Sequence, residues 1–211
     1  MLLNLNRPIG RKVWMSKGEE TKEKILKQAA ELFNQQGYAS SSISDIMRVT
    51  GLQKGGIYNH FKSKDELALE AFDYAMACVS QRYRDAWRSK RHAVERLQAI
   101  LFVFRGFIDN PPIVGGCPLL NTAIESDDAH PALRDRARQA MNSWRNMLCR
   151  IIEKGIERGE IRSTVDADEV ASIMIATLEG AVMMSKLYGD SIHLERVINH
   201  LNDYLESQLQ G

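Results

Sequence analysis

Residues 42–61 read SISDIMRVTGLQKGGIYNHF. The opening Ser42-Ile43-Ser44-Asp45 is a capping box in which Asp45 takes the place usually held by Glu or Gln three residues after the cap. A short helix therefore starts at Ser42. It can run only to about Thr50, because Gly51 supplies the permissive backbone that a tight turn needs, and another short helix fits Gln53 to about His60. Helix, glycine turn, helix is the spacing of a helix-turn-helix. Ile57 and Phe61 are core residues in this reading. The rest of the segment, two adjacent glycines with Tyr58, Asn59 and His60 set between lysines, is poor material for a core and rich in groups that can meet an anion.

The flanking sequence is patterned the same way. From Glu19 to Gln36, Ile25, Leu26, Ala29, Ala30, Leu32 and Phe33 fall on one helical face, and Gly37 follows as a C-cap. Downstream, Ser63-Lys64-Asp65-Glu66 is a second capping box, with Glu66 expected to reach back to the Ser63 amide, and a long helix runs on to about Trp87. Further helices are predicted from about Ala93 to Phe107, from near Cys117, and after His130-Pro131, the last leaving through Gly155 to Gly159. Two more open at Asp166 and after Asp190-Ser191. The chain is predicted all-α: an N-terminal three-helix domain with the helix-turn-helix over 16–62, and a C-terminal helical bundle over 63–211. Residues 1–15 are expected to form a disordered basic arm. Met15 directly precedes SKGEETKEKIL, so an extension upstream of the start is the other reading.

With 211 residues, 44% hydrophobic and 26% charged, the chain has the composition of a soluble globular protein. The apolar start MLLNL is too short to span a membrane and no uninterrupted apolar run of about 18 residues follows, so no membrane is expected and the location is read as cytoplasmic. Cys78, Cys117 and Cys149 form no CxxC pair, and the five histidines show no HExxH spacing, which leaves no metal site or cofactor to expect. Neither GxSxG, nor a GxxxxGK[ST] loop, nor a dinucleotide fingerprint is present, so the chain is not read as an enzyme. The net charge of +1 is uneven: residues 1–66 hold 11 of the 28 basic and 7 of the 27 acidic residues, net +4, leaving −3 for the remainder. That asymmetry suits an N-terminal module that meets a polyanion.

Thr21, Ile25, Leu26, Ala29, Ala30, Leu32, Phe33, Gly37 and Tyr38, then Ile43, Ile46, Gly51 and Leu52, then Tyr58, His60 and Phe61 resemble the DNA-binding domain of the TetR family of transcriptional regulators. The resemblance covers about the first third of the chain. It implies a sequence-specific regulator, a repressor released from a palindromic double-stranded operator by a small-molecule effector. It also implies that Gln53, Lys54 and Asn59 reach base edges and that Tyr58 and His60 touch the sugar-phosphate backbone. Ser42, Ser44, Lys62 and Lys64 are expected at phosphates beside the starts of two helices, and Gly55 and Gly56 are expected to let the recognition helix approach closely. Gly56 stands where the family often has Thr or Ser, and Met47 where Ala is usual.

For the second domain the resemblance implies a homodimer made by the last two helices. Ile173, Ala176, Thr177, Gly180 and Ala181 on one, and Val197, Leu201, Tyr204 and Leu205 on the other, are the expected interface. An effector pocket is expected among Phe104, Phe107, Trp144, Met147, Met183, Met184 and Tyr188, together with Cys117 and Asn121. Cys117, at the start of a helix after Gly115-Gly116, carries the alternative of an oxidant- or electrophile-sensing repressor. A helical interaction module that does not bind DNA is the remaining alternative.

Overall fold

The structure, a computed structural model, describes residues 16–209. The expected basic arm lies outside the described residues. Among those described there are nine α-helices and no strand: α1 Lys17–Gln36, α2 Ile43–Thr50, α3 Lys54–Tyr58, α4 Lys64–Trp87, α5 Ala93–Arg105, α6 Pro118–Ser126, α7 Pro131–Glu157, α8 Ala167–Tyr188 and α9 Ile192–Tyr204, with a π-helical turn over Leu205–Leu209.

Most helix ends follow the expected chemistry. Ser16 and Glu19 form a capping box that the sequence reading passed over, so α1 starts two residues before Glu19. Its end is Gly37, at φ 85°, whose N–H donates to the Phe33 carbonyl at 2.8 Å. At α4, Glu66 N–H donates to Ser63 Oγ at 3.0 Å, but the Glu66 carboxylate accepts from the Lys62 amide rather than from that of Ser63. The longer Glu side chain overshoots the cap by one residue. α7 runs through Gly155, where a β-carbon would come within 2.6 Å of Ala93 Cβ, and the chain turns out only at Gly159, φ 71°.

The described chain divides into two compact units, residues 16–81 with 112–138, and residues 82–111 with 139–209. The unit containing the helix-turn-helix is thus larger than residues 16–62, for a reason visible in its core. Ile25, Ala29 and Leu32 of α1, Ile46 of α2, Ile57 of α3 and Phe61 just after it pack with Leu67, Ala71 and Ala75 of α4 and with Ile113. Three helices of 20, 8 and 5 residues bury too little apolar surface alone, and α4 supplies the missing wall.

In the second unit α9 packs against α5 and α8. Leu97, Ile100, Leu101, Met174, Leu178, Leu194, Ile198 and Leu201 are fully buried there. Five aromatic rings form one chain of contacts: Phe104 stacks on Phe107 at 4.7 Å, on Trp144 at 5.6 Å and on Tyr83 at 6.2 Å, and Tyr83 stacks on Trp87. α8 has the length and mean hydropathy, 1.4 over 18 residues, of a membrane span, yet half of that stretch is buried inside the chain.

Candidate functional site

The helix-turn-helix is held from several sides. Gly51 adopts a left-handed φ of 70° and donates its N–H to the Met47 carbonyl at 2.9 Å, ending α2. Thr50 donates its hydroxyl to the Ile46 carbonyl at 2.7 Å, accepts from the Leu52 amide at 3.3 Å, and its own carbonyl accepts from Lys24 Nζ at 3.0 Å. Met47 packs against the core of this unit, as do Ile43 and Leu52. The angle between α2 and α3 therefore rests on hydrogen bonds and packing that owe nothing to a partner.

α3 turns Ile57 inward, 1% exposed, and leaves Gln53, Lys54, Gly55, Tyr58 and Asn59 at the surface. Gln53 occupies the N-cap position but makes no side-chain capping bond, so its amide group is not spent on the helix. Lys54 Nζ lies 5.8 Å from the Tyr58 ring centre, and His60 is half-buried with its ring beside Phe61. The solvent side of α3 thus carries an amide at its N-cap and, one turn apart, an ammonium and a phenol, with two glycines between them.

Two of the expected phosphate seats are differently occupied. Ser42 gives both its N–H, at 2.9 Å, and its hydroxyl, at 2.6 Å, to Asp45 Oδ2. These bonds to Ser42, with a smaller contribution from Arg48, hold the Asp45 carboxyl down at about 2. A carboxylate already sits where an anion at the α2 start would dock. Lys64 is turned inward: its ammonium donates to the Tyr38 carbonyl at 2.6 Å and stands 4.0 Å over the Tyr38 ring, and burial lowers its pKa. Lys64 was expected to add charge at a phosphate beside the start of α4; in the free chain Tyr38 captures it. Ser44, Lys62 and Ser63 remain exposed.

Residues 25–71 match the family described as bacterial regulatory proteins, tetR family, and residues 93–201 match the tetracyclin repressor-like C-terminal domain. The chain belongs to the TetR family. The crystal structure of a TetR transcriptional regulator from Chloroflexus aurantiacus is 50% identical, covers 93% of this chain and 99% of its own, and superposes with a TM-score of 0.89. A TetR-family regulator from Cytophaga hutchinsonii is 34% identical with a TM-score of 0.84, covering 94% and 98%. Among characterised relatives, the transcriptional regulator LmrA of Bacillus subtilis is 28% identical over 91% of this chain and 100% of its own length. The protein is a helix-turn-helix transcriptional regulator, in a family of DNA-binding regulators rather than enzymes, for which ligand-responsive repression is typical.

The second half of this TetR-family chain sorts the remaining expectations. Ala181, Leu201 and Leu205 are at most 2% exposed in the single chain, so they belong to its own core and not to a surface. α9 has a single apolar stripe, and the packing of α5 and α8 uses it. Val197 and Tyr204 are half-buried. Ile173 and Ala176 are exposed and Thr177 and Gly180 half-exposed, and the same side of α8 continues through Met183, Met184 and Leu187, the last 77% exposed. Leu187 was missed, although its spacing from Gly180 and Met183 marked it.

Met183, Met184 and Tyr188 therefore lie at the surface, whereas Phe104, Phe107 and Trp144 are buried in the aromatic stack and Met147 is half-buried. Trp144 Nε1 is enclosed without a hydrogen-bond partner. Cys117 is 5% exposed at the N-cap of α6, and Asn121 donates to Asn34 Oδ1 at 2.8 Å and to the carbonyls of Asn34 and Gly115 at 3.0 Å. At Gly115, φ 115°, a β-carbon would meet the Asn34 carbonyl at 2.7 Å. The Gly115-Gly116 pair thus serves close packing of this loop on α1.

Proposed function

We propose that this regulator represses by binding a palindromic operator as a homodimer, each subunit placing α3 in the major groove, and that a small-molecule effector releases it. The observation that carries the reading is α3 itself: Gln53, Lys54, Gly55, Tyr58 and Asn59 face solvent while Ile57 and Phe61 fix the helix from behind. Gln53 and Asn59 are the side chains suited to an adenine edge and Lys54 to a guanine edge. Tyr58, Ser44, Ser63 and Lys62 suit the sugar-phosphate backbone. The exposed apolar side of α8 supports a two-fold partner, which would set two recognition helices about 34–36 Å apart on successive turns of one DNA face. A reading in which Cys117 is oxidised directly has less support, because that thiol is buried.

The test is fluorescence anisotropy against duplexes tiled from the region upstream of the protein's own gene, repeated at several salt concentrations. Tight binding to one tile is expected, with affinity falling as salt rises. Lys62→Ala should weaken binding evenly across sequences and reduce the salt slope by about 1, whereas Gln53→Ala should cost about 1–3 kcal/mol and relax sequence preference. Equal, salt-insensitive affinity for every tile would remove the operator reading.

A further inference from the structure

Five residues, Gly37 to Ser41, join α1 to the N-cap of α2, so this short turn sets where α2 begins. Its polar groups are tied from several sides. Ser41, buried, donates its hydroxyl to the Gly37 carbonyl at 2.6 Å. The Tyr38 carbonyl accepts from Lys64 and the Tyr38 hydroxyl donates to Asp65, both at the start of α4. The adjacent N–H groups of Tyr38 and Ala39 both donate to one side chain distant in sequence, Glu125 of α6: Oε2 accepts the first at 2.9 Å and Oε1 the second at 2.8 Å.

We infer that Glu125 is a positioning residue for DNA recognition: by seating the turn after α1 it holds α2, and α3 with it, in the orientation that meets the duplex. The inference deepens the operator-binding reading and rests on it for its consequence at DNA. A carboxylate that accepts two consecutive amides fixes the direction of the turn as well as its place, and hydrogen bonds to a charged acceptor are the stronger kind. The seat has no slack, because a β-carbon at Gly37, φ 85°, would fall 2.7 Å from Glu125 Oε1. The anchor is firm as well. One turn earlier on α6, Asn121 donates to Asn34 Oδ1 at 2.8 Å and to the Asn34 carbonyl at 3.0 Å, and Asn34 donates in turn to the carbonyls of Val114 and Gly116.

A displaced turn hands its displacement on. Ser42, three residues after Ala39, caps α2, and the angle between α2 and α3 is fixed by Gly51, Thr50 and Lys24, so the two helices follow the turn together. A helix pair that must be ordered on the duplex binds more weakly than one already in place. Charge acts in the opposite sense. Glu125 is half-buried in the unit that holds the helix-turn-helix, and a negative charge there opposes the approach of phosphates. Removing it would tighten DNA binding if charge alone mattered, and loosen it if position does.

The experiment compares the full chain with Glu125→Ala, Glu125→Gln and the control Asp128→Asn, which removes the same charge from an exposed residue just after α6. Operator binding is read by anisotropy at several salt concentrations. Glu125→Ala should weaken it by at least about tenfold, the order of one lost charged hydrogen bond, with the salt slope unchanged because no phosphate contact is removed. Glu125→Gln, with one acceptor oxygen for two N–H groups, should fall between, and Asp128→Asn should bind as well as the parent or better. In the free proteins, hydrogen exchange should be faster in Glu125→Ala throughout residues 43–60, not at 37–41 alone. Circular dichroism shows which variants are folded at the assay temperature, and an unfolded Glu125→Ala leaves Glu125→Gln to be judged by the same two measurements. Operator affinity equal to or above the parent's, or faster exchange confined to residues 37–41, would overturn the assignment. A parent that binds no duplex would count against the operator reading, while exchange in the free chain still decides the role of Glu125.

Discussion

At Gly55 a β-carbon would meet no atom within 4 Å, and at Gly56 it would meet only the Leu52 side chain at an ordinary 3.6 Å. Neither glycine has a positive φ. The free protein therefore has no internal use for glycine at these two positions, while glycine in a helix costs roughly 0.5–1 kcal/mol against alanine. Under the proposed reading the use comes from outside, and a duplex backbone or base edge lying against α3 would supply it. Replacing both with alanine is expected to stabilise the free chain by about 1–2 kcal/mol, read by thermal or urea unfolding. It should also weaken operator binding by at least about tenfold, read by anisotropy, since added methyl groups hold the helix off the groove. A stabilised variant that binds as well as the parent would show that the pair does not serve close approach. Lys64 teaches the complementary lesson: its type and place suggested a phosphate, but only the folded chain reveals the Tyr38 ring and carbonyl that hold it.

The elements were legible wherever a local rule governs. The capping box at Ser42, the Ser63 cap and the glycine after α2 mark their helices because each acts within a few residues. α2 offers a direct check. Asp45 bonds Ser42 and is held at about 2, below its usual value of 3.8. A carboxyl lowered in the folded state contributes stability above its unfolded pKa and loses it as pH falls towards the folded one. The melting temperature of Asp45→Ala should accordingly lie below that of the parent at neutral pH, and the gap should close between pH 4 and 2; a gap independent of pH would remove the charged cap. What the sequence did not disclose depends on tertiary packing. Gly180 and Ala181 both looked suited to an interface, but adjacent residues on a helix point about 100° apart, so they cannot share one narrow face. Ala181 went to the core and Gly180 stayed nearer the surface.

For the whole molecule, the open question is what covers α8. One side of it is spent on the chain's own core through Met174, Leu178 and Val182; the other carries Ile173, Ala176, Gly180, Met183 and Leu187 at intervals of three and four residues, the period of a helix–helix seam. A face this apolar over about four turns is unusual on a lone subunit, and small residues at Ala176 and Gly180 permit a second helix to come close. A self-complementary patch of this kind suits a two-fold partner, in which each copy of α8 meets the other. The double variant Ile173→Glu with Leu187→Glu changes only residues that are 43% and 77% exposed, so the fold should survive, as circular dichroism would show. Light scattering should then find a monomer under conditions in which the parent is expected as a dimer. Operator affinity should drop by about 10²–10⁴-fold, because two half-sites joined in one molecule gain by effective concentration what separate ones cannot. A variant that still dimerises would move the interface off α8, and one that is monomeric yet binds DNA undiminished would mean that a single α3 with its flanking phosphate contacts is sufficient for recognition.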